Sequence, residues 1–164
     1  MGRLEERRAP VLVLALGNDI LGDDGVGFLA ARALRGEFDG AVDFVETGEA
    51  GLALVEFLEG YTQALLLDSL ASGTHEPGTV VEFSADDFRR VVAPSPHYAG
   101  LPEVLELAAR LGVEMPADLR ILAMEVEDPF TVREGLTDAV ERAMPSFVAR
   151  AREVLEAWTA RATR

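Results

Sequence analysis

The sequence predicts an α/β sandwich of three layers, with helices on both faces of a mostly parallel, roughly five-stranded twisted sheet. Three observations carry this expectation. Short continuous apolar runs such as Val11–Leu16 suit strands buried on both faces. Segments with apolar residues at helical spacing alternate with these runs. Glycine-bearing loops separate the two, as at Gly17–Gly27.

The elements follow in order. Val11–Leu16 reads as the first strand. Gly25–Leu34 has helical periodicity and stops near Gly36. Val42–Glu46 reads as a second strand and Gly51–Leu58 as a short helix ending at Gly60. Ala64–Leu67 is a third apolar run, which Asp68 is expected to close. Ala71–Gly78 is rich in turn formers, and Thr79–Phe83 reads as a fourth strand. Ala85–Ala93 fits either state. Leu101–Leu111 sets Leu101, Val104, Leu105, Ala108 and Leu111 on one helical face. Leu119–Val126 is the fifth strand. A long last helix begins at Thr137, a residue able to cap it, with Val140, Phe147, Ala151, Leu155 and Trp158 on its apolar stripe. Pro145 is a potential kink.

Length and composition set further bounds. At 164 residues, one domain spanning 1–164 is expected, with residues 1–9 as a flexible N-terminal segment. The 29 acidic residues against 15 basic ones leave a net charge of −14, and no basic stripe offers a nucleic-acid surface. The absence of cysteine excludes disulfides, thiolate metal sites and a cysteine nucleophile. No apolar run reaches membrane-spanning length, and Met1–Arg8 is charged, unlike a secretory signal. A cytoplasmic protein is expected, binding neither membrane nor nucleic acid, and a monomer.

The loop Gly17-Asn18-Asp19-Ile20-Leu21-Gly22-Asp23-Asp24-Gly25-Val26-Gly27 carries the most chemical information. A glycine-bearing strand–loop–helix unit normally suggests a phosphate cradle. Three aspartates and no Lys or Arg reverse the sign, so the loop favours a cation. The order Gly22-x-x-Gly25-x-Gly27 also differs from the dinucleotide pattern G-x-G-x-x-G.

Parallel α/β sheets gather their functional loops at the carboxyl ends of the strands. The first strand is followed there by Asn18, Asp19, Asp23 and Asp24, the third by Asp68, and the fourth, at longer range, by Ser95-Pro96-His97. Asp24, Asp68 and His97 would then form a nitrogen and oxygen donor set for a borderline divalent metal such as nickel or zinc, leaving coordination positions open. Each residue has a plainer reading. Asp24 could be an acidic first-turn residue of a helix, Asp68 a turn cap, and His97 a hydrogen-bonded loop histidine. Their shared edge favours the site. Asp23 is expected to cap the first helix, freeing Asp24. His75 lies in a turn-rich loop and reads as solvent-exposed. Gly48 and Gly51 flank a tight turn that could floor the same cleft. Ser95 beside His97 is no serine-hydrolase pair, since no G-x-S-x-G elbow is present.

These residues resemble the maturation endopeptidases of nickel-iron hydrogenases. The opening motif Gly17-Asn18-x-x-x-Gly22-Asp23-Asp24-Gly25-x-Gly27 is similar to that family's first signature. Gly48-x-Ala50-Gly51-Leu52, Asp68, Pro77-Gly78-Thr79, Ser95-x-His97 with Gly100-Leu101, and Gly135-Leu136-Thr137 follow in the family's order, covering residues 11 to 150. The resemblance implies metal-binding and catalytic roles for Asp24, Asp68 and His97. It implies removal of a C-terminal peptide from the hydrogenase large-subunit precursor once nickel is inserted, with the substrate-borne nickel as the recognition element. One turn departs from the pattern: Glu46-Thr47-Gly48-Glu49 stands where relatives often have Asp-Gly-Gly-Thr, which could alter substrate choice. The metal could polarise the scissile carbonyl or activate water, and a carboxylate dyad is a third mechanism. Rival readings are a non-catalytic hydrogenase- or metal-binding chaperone and a different metal-dependent peptidase on the same fold.

Overall fold

A computed structural model describes residues 9–87, 98 and 101–161. Strand β1 (Val11–Leu16) leads through a loop and a 3₁₀ turn (Gly22–Gly25) into helix α1 (Val26–Leu34). Strand β2 (Val42–Thr47) is followed by a 3₁₀ turn (Gly51–Ala53) and the short helix α2 (Leu54–Leu58). Strand β3 (Gln63–Leu70) connects directly to β4 (Val80–Ser84). Helix α3 (Leu101–Arg110), strand β5 (Asp118–Glu125) and the long helix α4 (Asp138–Arg161) complete the chain.

The sheet order is β2-β1-β3-β5-β4. The first four strands in that order run parallel, and β4 pairs antiparallel with β5 at the edge. The antiparallel direction follows from the connection. The chain from Leu70 to Val80 holds no helix to carry it back across the sheet, so β4 returns the opposite way.

Strand pleating divides the core into two layers. Val11, Val13, Ala15, Leu65, Leu67, Leu122 and Met124 pack against α1 and α4, including Val26, Leu34, Phe147 and Leu155. Leu12, Leu14, Leu16, Ala64, Leu66, Leu119 and Ile121 pack against α2 and α3, including Leu54, Leu58 and Leu101. All of β1 is buried, which explains its unbroken apolar run. Each fully buried Leu contributes about 1.5–3 kcal/mol of transfer free energy.

The three-layer sandwich therefore agrees with the sequence expectation, and three local expectations need correction. β3 does not end at Asp68. Its ladder with β5 continues through Asp68↔Ala123, Ser69↔Met124 and Leu70↔Glu125, because β5 is long enough to pair with three further residues. Asp23 does not cap the first helix, since neither the 3₁₀ turn nor α1 has a side-chain cap. Thr137 precedes α4, and its carbonyl accepts the Glu141 amide at 2.9 Å, but its hydroxyl donates to Asp23. Pro145 lies inside α4 without ending it.

Candidate active site at the β1–β3 switch point

The chain runs from β1 out to the edge strand β2 and then returns to β3 on the other side of β1. α1 and α2 accordingly cover opposite faces. In such a sheet a crevice opens at the carboxyl ends of the two strands where the order reverses. Asp24 follows β1, and Asp68 lies near the carboxyl end of β3, so topology alone delivers both carboxylates to this crevice.

Asp24 reaches it through a backbone contact that only glycine allows at position 17. Gly17 has φ +145°, and a Cβ there would stand 2.1 Å from the Asp24 carbonyl oxygen. The Gly17 amide also donates to the Thr47 carbonyl at 3.3 Å, which ties the loop to β2. The Asp24 carboxylate accepts the Ser69 hydroxyl at 2.6 Å through Oδ1. Asp68 is fully buried. Its Oδ1 accepts the Ser69 amide at 2.7 Å, and its Oδ2 accepts the Tyr98 hydroxyl at 3.0 Å. Tyr98 packs in the α2–α3 layer. Burial first, then the negative charge of Asp68 and the bond to it, push the phenol well above its ordinary pKa of 10.0. Tyr98 therefore stays protonated and donates.

The two carboxylates lie on either side of the strand. Asp68 shares the pleat parity of Ala64 and Leu66, and Ser69 that of Leu65 and Leu67. Asp68 thus turns toward Tyr98, while Ser69 turns toward α1 and meets Asp24. Residue 69 was not among the sequence candidates. Its role appears only once β3 is known to extend past Asp68.

Beside Asp24 opens a cavity of about 580 Å³, lined by Gly17, Asn18, Asp24, Arg32, Glu46 and Gly48 among others. The turn after β2 does line it, through Thr47 and Gly48. Its acids are partly neutralised. Arg32 forks onto Glu46, with Nε to Oε1 at 2.9 Å and Nη2 to Oε2 at 2.7 Å, and its Nη2 lies 3.4 Å from Asp19. The guanidinium also lies over the Phe28 ring, 5.7 Å from its centroid. Glu46, the first residue of the turn that departs from the family's pattern, is thus held in an ion pair on the cavity wall. The arginine side chain is about half exposed, so this pair shapes the wall more than it adds stability.

Asp23 has a different task from its neighbour. Fully buried, it accepts the Thr137 amide and hydroxyl, each at 2.8 Å, and the Asp128 amide at 3.2 Å. It locks the β5–α4 connection to the first loop. His75 is exposed, as expected. His97, with Pro94, Ser95, Pro96 and Gly100, lies outside the described residues. Among the described residues no group of three or more His, Asp or Glu side chains is placed to hold a metal ion. Two carboxylates brought to one serine, one of them facing a cavity, nonetheless offer hard oxygen donors suited to a divalent cation.

Comparison with known proteins agrees with this architecture. The family model described as hydrogenase maturation protease (HycI) matches residues 30–154. Hydrogenase expression/formation protein HupD of Thiocapsa roseopersicina is 31% identical over 161 residues, covering 87% of this chain and 72% of that protein. Hydrogenase 2 maturation protease of Escherichia coli (strain K12) is 27% identical over 135 residues, covering 80% of this chain and 81% of that one. The solved structure of the hydrogenase maturating endopeptidase HybD from E. coli superposes with a TM-score of 0.73 at 25% identity, over 89% of this chain and 91% of that one. That of the [NiFe] hydrogenase maturation protease HybD from Thermococcus kodakarensis gives 0.69 at 27% identity, over 88% and 98%. With the fold, the family-model match and the 31% identical relative in agreement, the chain belongs to the hydrogenase maturation protease family.

Proposed function

We propose that this enzyme is the endopeptidase that removes the C-terminal peptide from a nickel-loaded precursor of a nickel-iron hydrogenase large subunit. The observation that carries the reading is the meeting of Asp24 and Asp68 at Ser69, beside an open cavity at the sheet's switch point. Asp24 and Asp68, together with His97, are the metal-docking and catalytic residues of this reading. The nickel ion is part of the substrate. Two carboxylates would nearly balance its charge, and without it they would repel one another and hold the precursor poorly. When present, the cation supplies Lewis acidity to the scissile region. The protein's own part is to hold the two carboxylates at fixed positions and keep Asp68 buried. Zinc or another divalent cation has the same chemistry toward this donor set. No helix among the described residues is long and apolar enough to cross a membrane, and we place the enzyme in the cytoplasm as a monomer.

Incubation with nickel-loaded and nickel-free precursor, followed by intact mass, tests the reading. Loss of a C-terminal peptide from the loaded form alone is the expected result. Precursor bound but uncut would make the protein a docking chaperone instead. Equal turnover of unrelated peptides with added zinc would make it a general metallopeptidase. Asp68→Ala and His97→Ala should each abolish cleavage with the fold retained by circular dichroism, and full activity in either would remove that residue from the site.

A further inference from the structure

Ser69 touches both carboxylates, one with its backbone and one with its side chain. Its amide donates to Asp68 Oδ1 at 2.7 Å, and its hydroxyl donates to Asp24 Oδ1 at 2.6 Å. A hydroxyl-to-carboxylate bond of this length is charge-assisted and among the stronger hydrogen bonds available to a neutral donor. Ser69 itself is buried, so water competes weakly for either contact.

The geometry divides the labour between the two oxygens of Asp24. Oδ1 is held by the serine. Oδ2 lies on the side of Gly17, 3.8 Å from where a Cβ at that position would stand, and Gly17 lines the cavity. Asp24 comes from the β1–α1 loop and Ser69 from β3, so the bond also ties a loop to the sheet. Asp68 is held separately, by the adjacent amide of its own strand and by the Tyr98 hydroxyl.

We propose that Ser69 is a positioning residue that commits one oxygen of Asp24 to the sheet, so that a divalent cation is met by the other oxygen at a fixed place relative to Asp68. This inference rests on the reading of Asp24 as a docking residue. A side chain that hydrogen-bonds a ligating carboxylate orients it before the cation arrives, and its removal typically costs about 10–100-fold in affinity.

Ser69→Ala isolates the effect, since alanine keeps the amide that holds Asp68 and deletes only the hydroxyl. Ser69→Thr keeps the hydroxyl on a β-branched side chain suited to a strand. Calorimetric titration of the full chain with zinc chloride, with Asp24→Asn as the control that identifies this site's heat, reads the result directly. The expected outcome is binding weakened roughly 10–100-fold in Ser69→Ala and restored toward wild type in Ser69→Thr, with every titration run well below the melting transition of each variant. KM for nickel-loaded precursor should rise in Ser69→Ala more than kcat falls, because docking rather than chemistry is loosened. Binding in Ser69→Ala equal to wild type, while Asp24→Asn is weakened, overturns the inference and leaves the docking reading standing. Equal weakening in the alanine and threonine variants also overturns it, by showing that packing and not the hydroxyl matters. Wild-type binding indifferent to Asp24→Asn removes the docking reading, and the inference with it.

Discussion

At Asp23 a fully buried carboxylate accepts hydrogen bonds from Asp128 and Thr137, 105 and 114 positions along the chain. Removing one partner of such a set leaves donors unsatisfied in a place water cannot reach. Asp23→Asn keeps the shape but turns one acceptor into a donor facing donors. It should cost about 2–4 kcal/mol, lowering the melting temperature by roughly 5–15 °C. A melting curve that coincides with wild type would show that the β5–α4 connection does not depend on this lock. The adjacent Asp24 does a different job with the same chemistry. The sequence distinguished the two acids only in part. It separated Asp24 as the outward-facing one, because an acidic loop with no base favours a cation. It assigned Asp23 to a helix cap because caps are local, whereas its partners lie at the far end of the chain, where no spacing rule reaches. Ser69 was invisible for a related reason: its importance depends on pleat parity at a strand end that pattern alone placed too early.

Among the elements, the apolar strands were the most legible part of the fold. β1 is buried along its whole length and reads as one continuous hydrophobic run, β5 keeps an apolar stretch over Ile121–Met124, and β2, at the sheet edge, is only partly buried and mixes apolar with polar residues. The end of β3 was not legible, because Asp68 and Ser69 look like loop residues until β5 is laid beside them. The β3–β4 connection shows how a polar segment is ordered. Glu125, at the end of β5, is nearly inaccessible. It accepts the Ser72 hydroxyl at 2.7 Å and the amides of Ser72 and Gly73 at 3.1 and 2.8 Å. Burial opposes its ionisation, but these bonds, with that of the His75 amide, outweigh it and hold its pKa below the ordinary glutamate value. A carboxylate whose folded pKa is depressed adds stability above its unfolded pKa, near ~4.3, and loses it as pH falls through the folded value. Glu125→Gln should therefore melt below wild type at pH 7, with the gap closing progressively once the pH drops below about 4.3. A gap that stays constant from neutral to acid conditions would assign the loss to geometry rather than to charge.

Taken as a whole, the molecule separates its polar groups by sheet edge. The carboxyl edge holds Asp24, Asp68 and the cavity acids. The amino edge holds polar contacts that close on themselves. At the start of β5, Asp118 accepts Arg120 Nε and Nη2, both at 3.1 Å, and the Trp158 indole N–H at 3.1 Å. Arg120 also lies over the Trp158 ring, 5.4 Å from its centroid. This cluster pins the last turns of α4 to the sheet, at the opposite end of β5 from Glu125. α4 is the longest helix among the described elements, and it shares one face of the sheet with α1, packing through Val140, Phe147, Ala151, Leu155 and Trp158. Loosening its end should weaken the fold without disturbing the switch-point crevice, because the intervening strands are fully packed and the site is tied to β1 and β3. Asp118→Ala should thus lower stability by about 1–2 kcal/mol and the melting temperature by roughly 3–8 °C. Precursor cleavage per folded molecule, measured well below the transition, should stay at the wild-type rate. Asp68→Asn should instead lose cleavage per folded molecule, whatever its melting temperature. If Asp118→Ala slowed cleavage as strongly as it lowered the melting temperature, the two edges would be energetically coupled through the sheet, and the site could not be treated as an independent construction on one end of the fold.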